Sequence, residues 1–213
     1  MKELPILMNG DAVRAILDGR KTQTRRPIKP QPTGWNPTPD AEDAWWFCVA
    51  GDMDYSEGPF NSPFGSSGDH LYVRETWAEA FEINKIFYRA DVDVDGSVPY
   101  EMGGAGGFGG GVGNAKIDKW RPSIHMPKRM SRITLEVERV WVERINEISE
   151  ADTIAEGCEL AEGYEELAMA FFKQPHRQVF IEMWDDIYAA KGFGWNTNCW
   201  VFGCEFKVLE EVK

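Results

Sequence analysis

The chain has 213 residues, 43% of them hydrophobic and 27% charged, with nine tryptophans and a formal net charge of −12. That length supports one core, or one domain with large insertions. No apolar run reaches the roughly 20 residues of a membrane span, and residues 1–10 lack a secretory layout, so a cytoplasmic protein with no membrane partner is expected.

Taken in order, the first element is a helix. Asn9 or Asp11 can cap it, Ala12, Val13, Ile16 and Leu17 form its apolar stripe, and Gly19 stops it. Residues 21–26 then alternate, so Thr22, Thr24 and Arg26 share one face of a short strand that Pro27, Pro30 and Pro32 terminate. Residues 33–68, rich in Gly, Pro, Ser, Asn and Asp, read as an insertion with room for one hairpin. Strands are expected over Leu71–Trp77 and Lys85–Val92. A second insertion follows at residues 93–115; its stretch Gly103–Asn114 carries eight glycines but lacks the Gly-Lys-Ser/Thr ending of a phosphate loop, and reads as a flexible loop.

Ser131–Ile145 is a long alternating strand. Ser149 and Asp152 open a short helix that Gly157 ends, and a longer helix aligns Val179, Phe180, Met183, Trp184, Ile187 and Tyr188. The sequence closes on a strand at residues 199–210. This order implies an α+β fold in a single domain over residues 1–213: a small, mostly antiparallel β-barrel with helices packed at its ends, plus the two loop insertions.

The positive charge is concentrated. Arg14, Arg20, Lys21, Arg25, Arg26 and Lys29 share a window with one acid, Asp18; Lys116, Lys119, Arg121, Lys128, Arg129 and Arg132 share another with Asp118. The two windows hold 12 of the 23 Lys and Arg residues and 2 of the 35 acids. Brought together, they would make one basic basin suited to a single anionic ligand; kept apart, they are solvated basic strands. So acidic a total excludes nonspecific coating of nucleic acid. Cys48, Cys158, Cys199 and Cys204 form no pair of knuckles, and His70, His125 and His176 have no spaced partner, so buried thiols are expected, with no metal site and no cofactor.

Three constellations could carry chemistry. Thr24 becomes a nucleophile only if a base takes its proton, and Lys21, crowded by Arg20, Arg25 and Arg26, has a charge environment that favours a neutral amine. Glu156, in the last turn before Gly157, sits at the negative end of a helix dipole, a position suited to proton shuttling. Trp77 and Trp120 either stack a base or fill the core, while Arg74, Arg121, Ser123 and His125 could hydrogen-bond base edges or phosphate. Pro122 and Pro127 would hold the segment between them extended, and Glu75 puts a second carboxylate beside the expected cleft.

The stretches "ILDGRKTQTRR", "GDHLYVRETW", "SRITLEVERVWVERINEIS" running into "EADTIAEG", and "WVFGCEFKVL" resemble the ASCH domain family, closest to its longer phage and prophage members. The resemblance covers about residues 5–32, 68–90, 116–160 and 178–210 and leaves out both insertions. It implies a PUA-like barrel with a cleft between barrel and helices, and a nucleoside or short RNA as ligand. A compact bacterial member hydrolyses acetylcytidine with a Lys, a Thr and a Glu, which by motif position fall on Lys21, Thr24 and Glu156, with Arg26 as oxyanion donor. Other members bind or cleave RNA, so a noncatalytic binding module remains the alternative. A third reading makes the aromatic insertion (Trp35, Trp45, Trp46, Phe47) the contact surface of an accessory protein, which requires it to be exposed.

Overall fold

A computed structural model describes residues 1–39, 44–49, 52–80, 85–92, 99–101, 112–114, 119–163 and 165–211. Strand β1 (Glu3–Leu7) leads into helix α1 (Gly10–Leu17), whose first turn is capped by the Asn9 side chain accepting the Ala12 N–H at 2.8 Å. Gly19, at φ 72°, turns the chain into β2 (Gln23–Pro27). Within the first insertion, β3 (Trp35–Pro39), β4 (Ala44–Val49) and β5 (Asp52–Asn61) make a three-stranded antiparallel sheet.

The strand expected over Leu71–Trp77 breaks at Glu75 into β6 (His70–Arg74) and β7 (Trp77–Ala80), and β7 pairs with β8 (Lys85–Tyr88). Of the second insertion, β9 (Pro99–Glu101) and β10 (Val112–Asn114) form a small hairpin; most of the glycine-rich stretch lies outside the described residues. The segment between Pro122 and Pro127 winds into a 3₁₀ turn, Ser123–His125, instead of staying extended, because the His125 and Met126 N–H groups bond back to the Pro122 and Ser123 carbonyls.

The long strand is β11 (Ile133–Arg144). Its alternation is broken by a bulge between Val137 and Arg139. Before the bulge Ile133, Leu135 and Val137 face the main core; after it Val140 and Val142 do, so Trp141 and Glu143 emerge on the opposite face. Ser149 caps α2 (Glu150–Ala155), and α3 (Glu165–Phe171), which has no sequence counterpart above, precedes α4 (Pro175–Tyr188). Phe180, Trp184 and Tyr188 bury the α4 stripe, while Ile187 lies at its edge, 36% exposed. The chain ends in β12 (Trp200–Glu211).

The fold is α+β. Its main sheet runs β1-β6-β11-β12-β2, antiparallel except for the parallel β1–β6 pair. One core fills the face against α1, with Val13, Ile16, Leu71, Leu135, Phe202 and Phe206. A second lies under α4 and joins Phe180 and Trp184 to Ile145, Cys199 and Val201. The three-stranded sheet docks on the first core through Phe47, fully buried edge-on against Phe60 at 5.3 Å and Trp200 at 5.2 Å. That packing, with Trp45 half-buried on the same core, counts against an exposed aromatic contact loop. Among the described residues no helix is long and apolar enough to cross a membrane.

Candidate functional site

The outer strands of the main sheet, β1 and β2, share no backbone ladder, yet they meet. Arg26 leaves β2 and donates from Nη2 to the carbonyl of Leu7, the last residue of β1, at 3.0 Å. Its Nη1 donates to Thr24 Oγ1 and to the Arg25 carbonyl, each at 2.9 Å. A cleft of about 810 Å³ opens along this seam. Leu7, Arg26 and Ile28 line it from the two strands and the turn after β2, Phe60 and Phe64 from the insertion, and Tyr188 from the end of α4.

Lys21 and Glu156 converge beside it. Gly157, at φ +87°, ends α2 so tightly against α1 that a Cβ there would lie 2.9 Å from Ala15 Cβ and 3.1 Å from Lys21 Cβ. The ammonium of Lys21 thereby donates to the Glu156 carbonyl at 2.8 Å and to Glu156 Oε2 at 2.6 Å. It thus satisfies one of the free carbonyls at the negative end of α2. Burial pushes the Lys21 ammonium below its usual range; Glu156 opposes this, and Arg26 contributes a smaller push in the same direction. The arginines are thus not the main cause.

Arg25, 1% exposed, is the hub that the sequence reading missed. Its Nε donates to Glu143 Oε1 at 2.6 Å, and its Nη1 donates to Gln23 Oε1 at 3.1 Å and to Glu156 Oε1 at 3.2 Å. Trp141 covers it at 5.3 Å, lying flat over Gly203, where a Cβ would come within 2.3 Å of the indole. Alternation sends Thr24 and Arg25 to opposite faces of β2. The structure therefore brings Lys21 and Glu156 into contact, while the buried Thr24 hydroxyl is held by Arg26.

Tyr188, on the apolar stripe of α4 and part of the second core, also lines the cleft. Burial pushes its phenol above the usual range; the charge of Arg26 opposes this and that of Glu156 adds to it. The phenol is therefore a neutral hydroxyl at physiological pH.

Of the residues singled out above for a site, Arg26 lines the cleft, whereas Lys21, Thr24, Glu156, Arg74, Glu75, Trp77, Trp120, Arg121, Ser123 and His125 do not. Glu75 is buried and bound by Arg132 through Nε at 2.9 Å and Nη2 at 3.1 Å, and Arg132 also grips both oxygens of Asp91. Trp77 is 2% exposed beneath the Arg121 guanidinium at 4.9 Å, so the core reading holds for it; Arg121 pairs with Glu79. Arg89 sits 5.6 Å over the half-buried Trp120, Arg74 donates to the Ile124 carbonyl, Ser123 is half-buried and His125 is exposed.

The expected basic basin is largely neutralised. Arg14, Arg20, Lys21 and Arg25 of the first window, and Arg121, Lys128 and Arg132 of the second, each pair with an acid, most of them distant in sequence. Lys116 lies outside the described residues, and the exposed Lys119 and Arg129 have no ion pair among the described residues. Arg26 and Lys29, the first-window cations with no ion pair among the described residues, both line the cleft.

No protein-family model matches the sequence, and no curated protein matches it. Solved structures similar to the chain include a DUF984 protein of Enterococcus faecalis V583, at 10% identity and a TM-score of 0.40, covering 100% of this chain and 84% of that one. They also include the ASCH domain from Lactobacillus crispatus JV V101, at 13% identity and a TM-score of 0.36, covering 99% of this chain and 81% of that domain.

Proposed function

We propose that the seam cleft binds a nucleoside, free or as an unpaired unit of a short RNA. The observation that carries this is the placement of Arg26 and Lys29, the unneutralised cations of an otherwise compensated window, in one cleft with the neutral Tyr188 hydroxyl. Together they offer charged and neutral hydrogen-bonding groups to the carbonyl and anionic groups of such a ligand. The nucleoside itself is supported by the ASCH-like motifs of the sequence.

Calorimetric titration with nucleosides, mononucleotides and short oligonucleotides tests it. Arg26→Ala and Lys29→Ala should each weaken binding about tenfold, the loss of one charge-assisted hydrogen bond. Thr24→Ala should leave affinity within about twofold. Binding undiminished in the Arg26→Ala, Lys29→Ala double variant would overturn the assignment.

A second reading, hydrolysis of an N-acyl amide on a modified nucleoside, is favoured by the buried Lys21 with its lowered proton affinity in contact with Glu156. In that reading a ligand carbonyl draws the Arg26 guanidinium off Thr24. Glu156 first accepts a proton from the Lys21 ammonium; Thr24 Oγ then attacks the acyl carbon as the freed amine takes its proton, and Arg26 stabilises the oxyanion. The C–N bond breaks, the amine leaves with the proton from Lys21, and water, with Glu156 shuttling protons, releases the acid from Thr24. Turnover of an acylated nucleoside that disappears in both Lys21→Ala and Thr24→Ala, with folding retained, would establish it; no turnover across a panel would leave the binding function alone.

A further inference from the structure

The cleft is far more apolar than a site built for a phosphate chain. Beside the polar groups of Arg26, Lys29, Asn61 and Tyr188 its walls include Ile28, Phe202 and, from one short segment, Pro59, Phe60, Pro63 and Phe64. That segment, residues 58–64, belongs to the first insertion and is fixed in place: Phe64 is 1% exposed, and Phe60 packs edge-on against the buried Phe47. A polynucleotide brings one anion per unit, and burying phosphates against proline and phenylalanine without matching cations is costly. A volume of about 810 Å³ is ample for a drug-sized ligand.

We infer that this wall selects a ligand with an apolar substituent: in the nucleoside reading on which the inference rests, a nucleoside whose base carries an acyl or alkyl chain of several carbons, its carbonyl at Arg26 and its chain along residues 58–64. Phe60 and Pro63 are then specificity-determining residues, and Arg26 is the polar anchor. Each methylene buried against the wall raises affinity about fourfold.

The test is a homologous series of N-acyl cytidines, acetyl, butyryl and hexanoyl, titrated beside an N-hexanoyl amino acid that has no base and beside an octanucleotide. Affinity should climb along the series, with a shallow salt dependence, and the octanucleotide should bind more weakly than the hexanoyl nucleoside. Phe60→Ala should flatten the climb, lowering the ratio of hexanoyl to acetyl affinity. Pro63→Asp, at an exposed position, should also flatten the climb by placing a charge along the chain's path. Equal affinity across the series, or tighter binding of the octanucleotide with a steep salt dependence, overturns the inference and leaves the nucleoside reading standing. Arg26-dependent capture of the hexanoyl amino acid together with failure of every nucleoside keeps the apolar wall and removes the nucleoside. Failure of every probe removes both.

Discussion

Glu156 is the residue on which two buried cations depend. Lys21 and Arg25 are 5% and 1% exposed, and both bond its carboxylate. Truncating one partner of such a cluster leaves charge stranded in the interior. Glu156→Ala should cost about 3–5 kcal/mol in urea unfolding, and Glu156→Gln, which keeps one acceptor oxygen, distinctly less; equal stability of Glu156→Ala and wild type would mean that water reaches both cations. Lys21 and Glu156 were legible because glycines sit beside them in a recognisable spacing. Arg25 was not, since a charged side chain on a short alternating strand reads as solvated, and its partner Glu143 lies on a strand 118 residues away. Glu75 misled for the same reason: its neighbours in sequence say nothing of Arg132, which occupies both of its oxygens.

Among the elements, β1 had the weakest signal. Five residues with proline in the middle do not alternate convincingly, and the strand exists because β6 offers a parallel edge, Glu3 to Leu7 against His70 to Arg74. Asp69 anchors the start of that pairing by accepting the Lys2 N–H at 2.6 Å and the Ser66 N–H at 3.1 Å. Burial opposes its ionisation, but these N–H groups outweigh burial and hold the carboxyl below its usual range. A lowered folded value means that the stabilisation is present above the unfolded value of 3.8 and is lost as pH falls through the folded one. Asp69→Ala should therefore cost about 1–3 kcal/mol near neutral pH, and its gap from wild type should narrow in acid unfolding as pH falls below 3.8; a gap constant with pH would assign the effect to packing. The strands that alternate, β2, β11 and β12, were readable from period alone. The bulge in β11 was not, because it is visible only against a partner. The three-stranded insertion was hidden by its Gly and Pro content, which suppresses strand propensity although Phe47 ties the sheet to the core.

At the scale of the whole molecule, β12 belongs to two cores at once. Trp200, Phe202, Cys204 and Phe206 face the first and Val201 the second, so neither core can come apart while that strand stays paired. We propose that the protein unfolds as one unit. Two thiols report it: burial pushes Cys204, in the first core, and Cys158, in the second, up to about 12, so both are unreactive thiols in the folded state at pH 8. Alkylation mapped by mass spectrometry across a urea series should show the two becoming reactive at the same midpoint; separate midpoints would divide the chain into two cooperative units. Charge also behaves collectively, since several of the cations clustered in the sequence are neutralised by acids that the fold delivers.

The seam between β1 and β2 carries a consequence of its own. Every other junction of the main sheet is stitched by backbone, whereas this one is latched by a single guanidinium spanning Thr24 and the Leu7 carbonyl. A ligand that takes hold of Arg26 competes with the latch, so occupancy of the cleft and loosening of the sheet's edge draw on the same hydrogen-bond donors and are thermodynamically coupled.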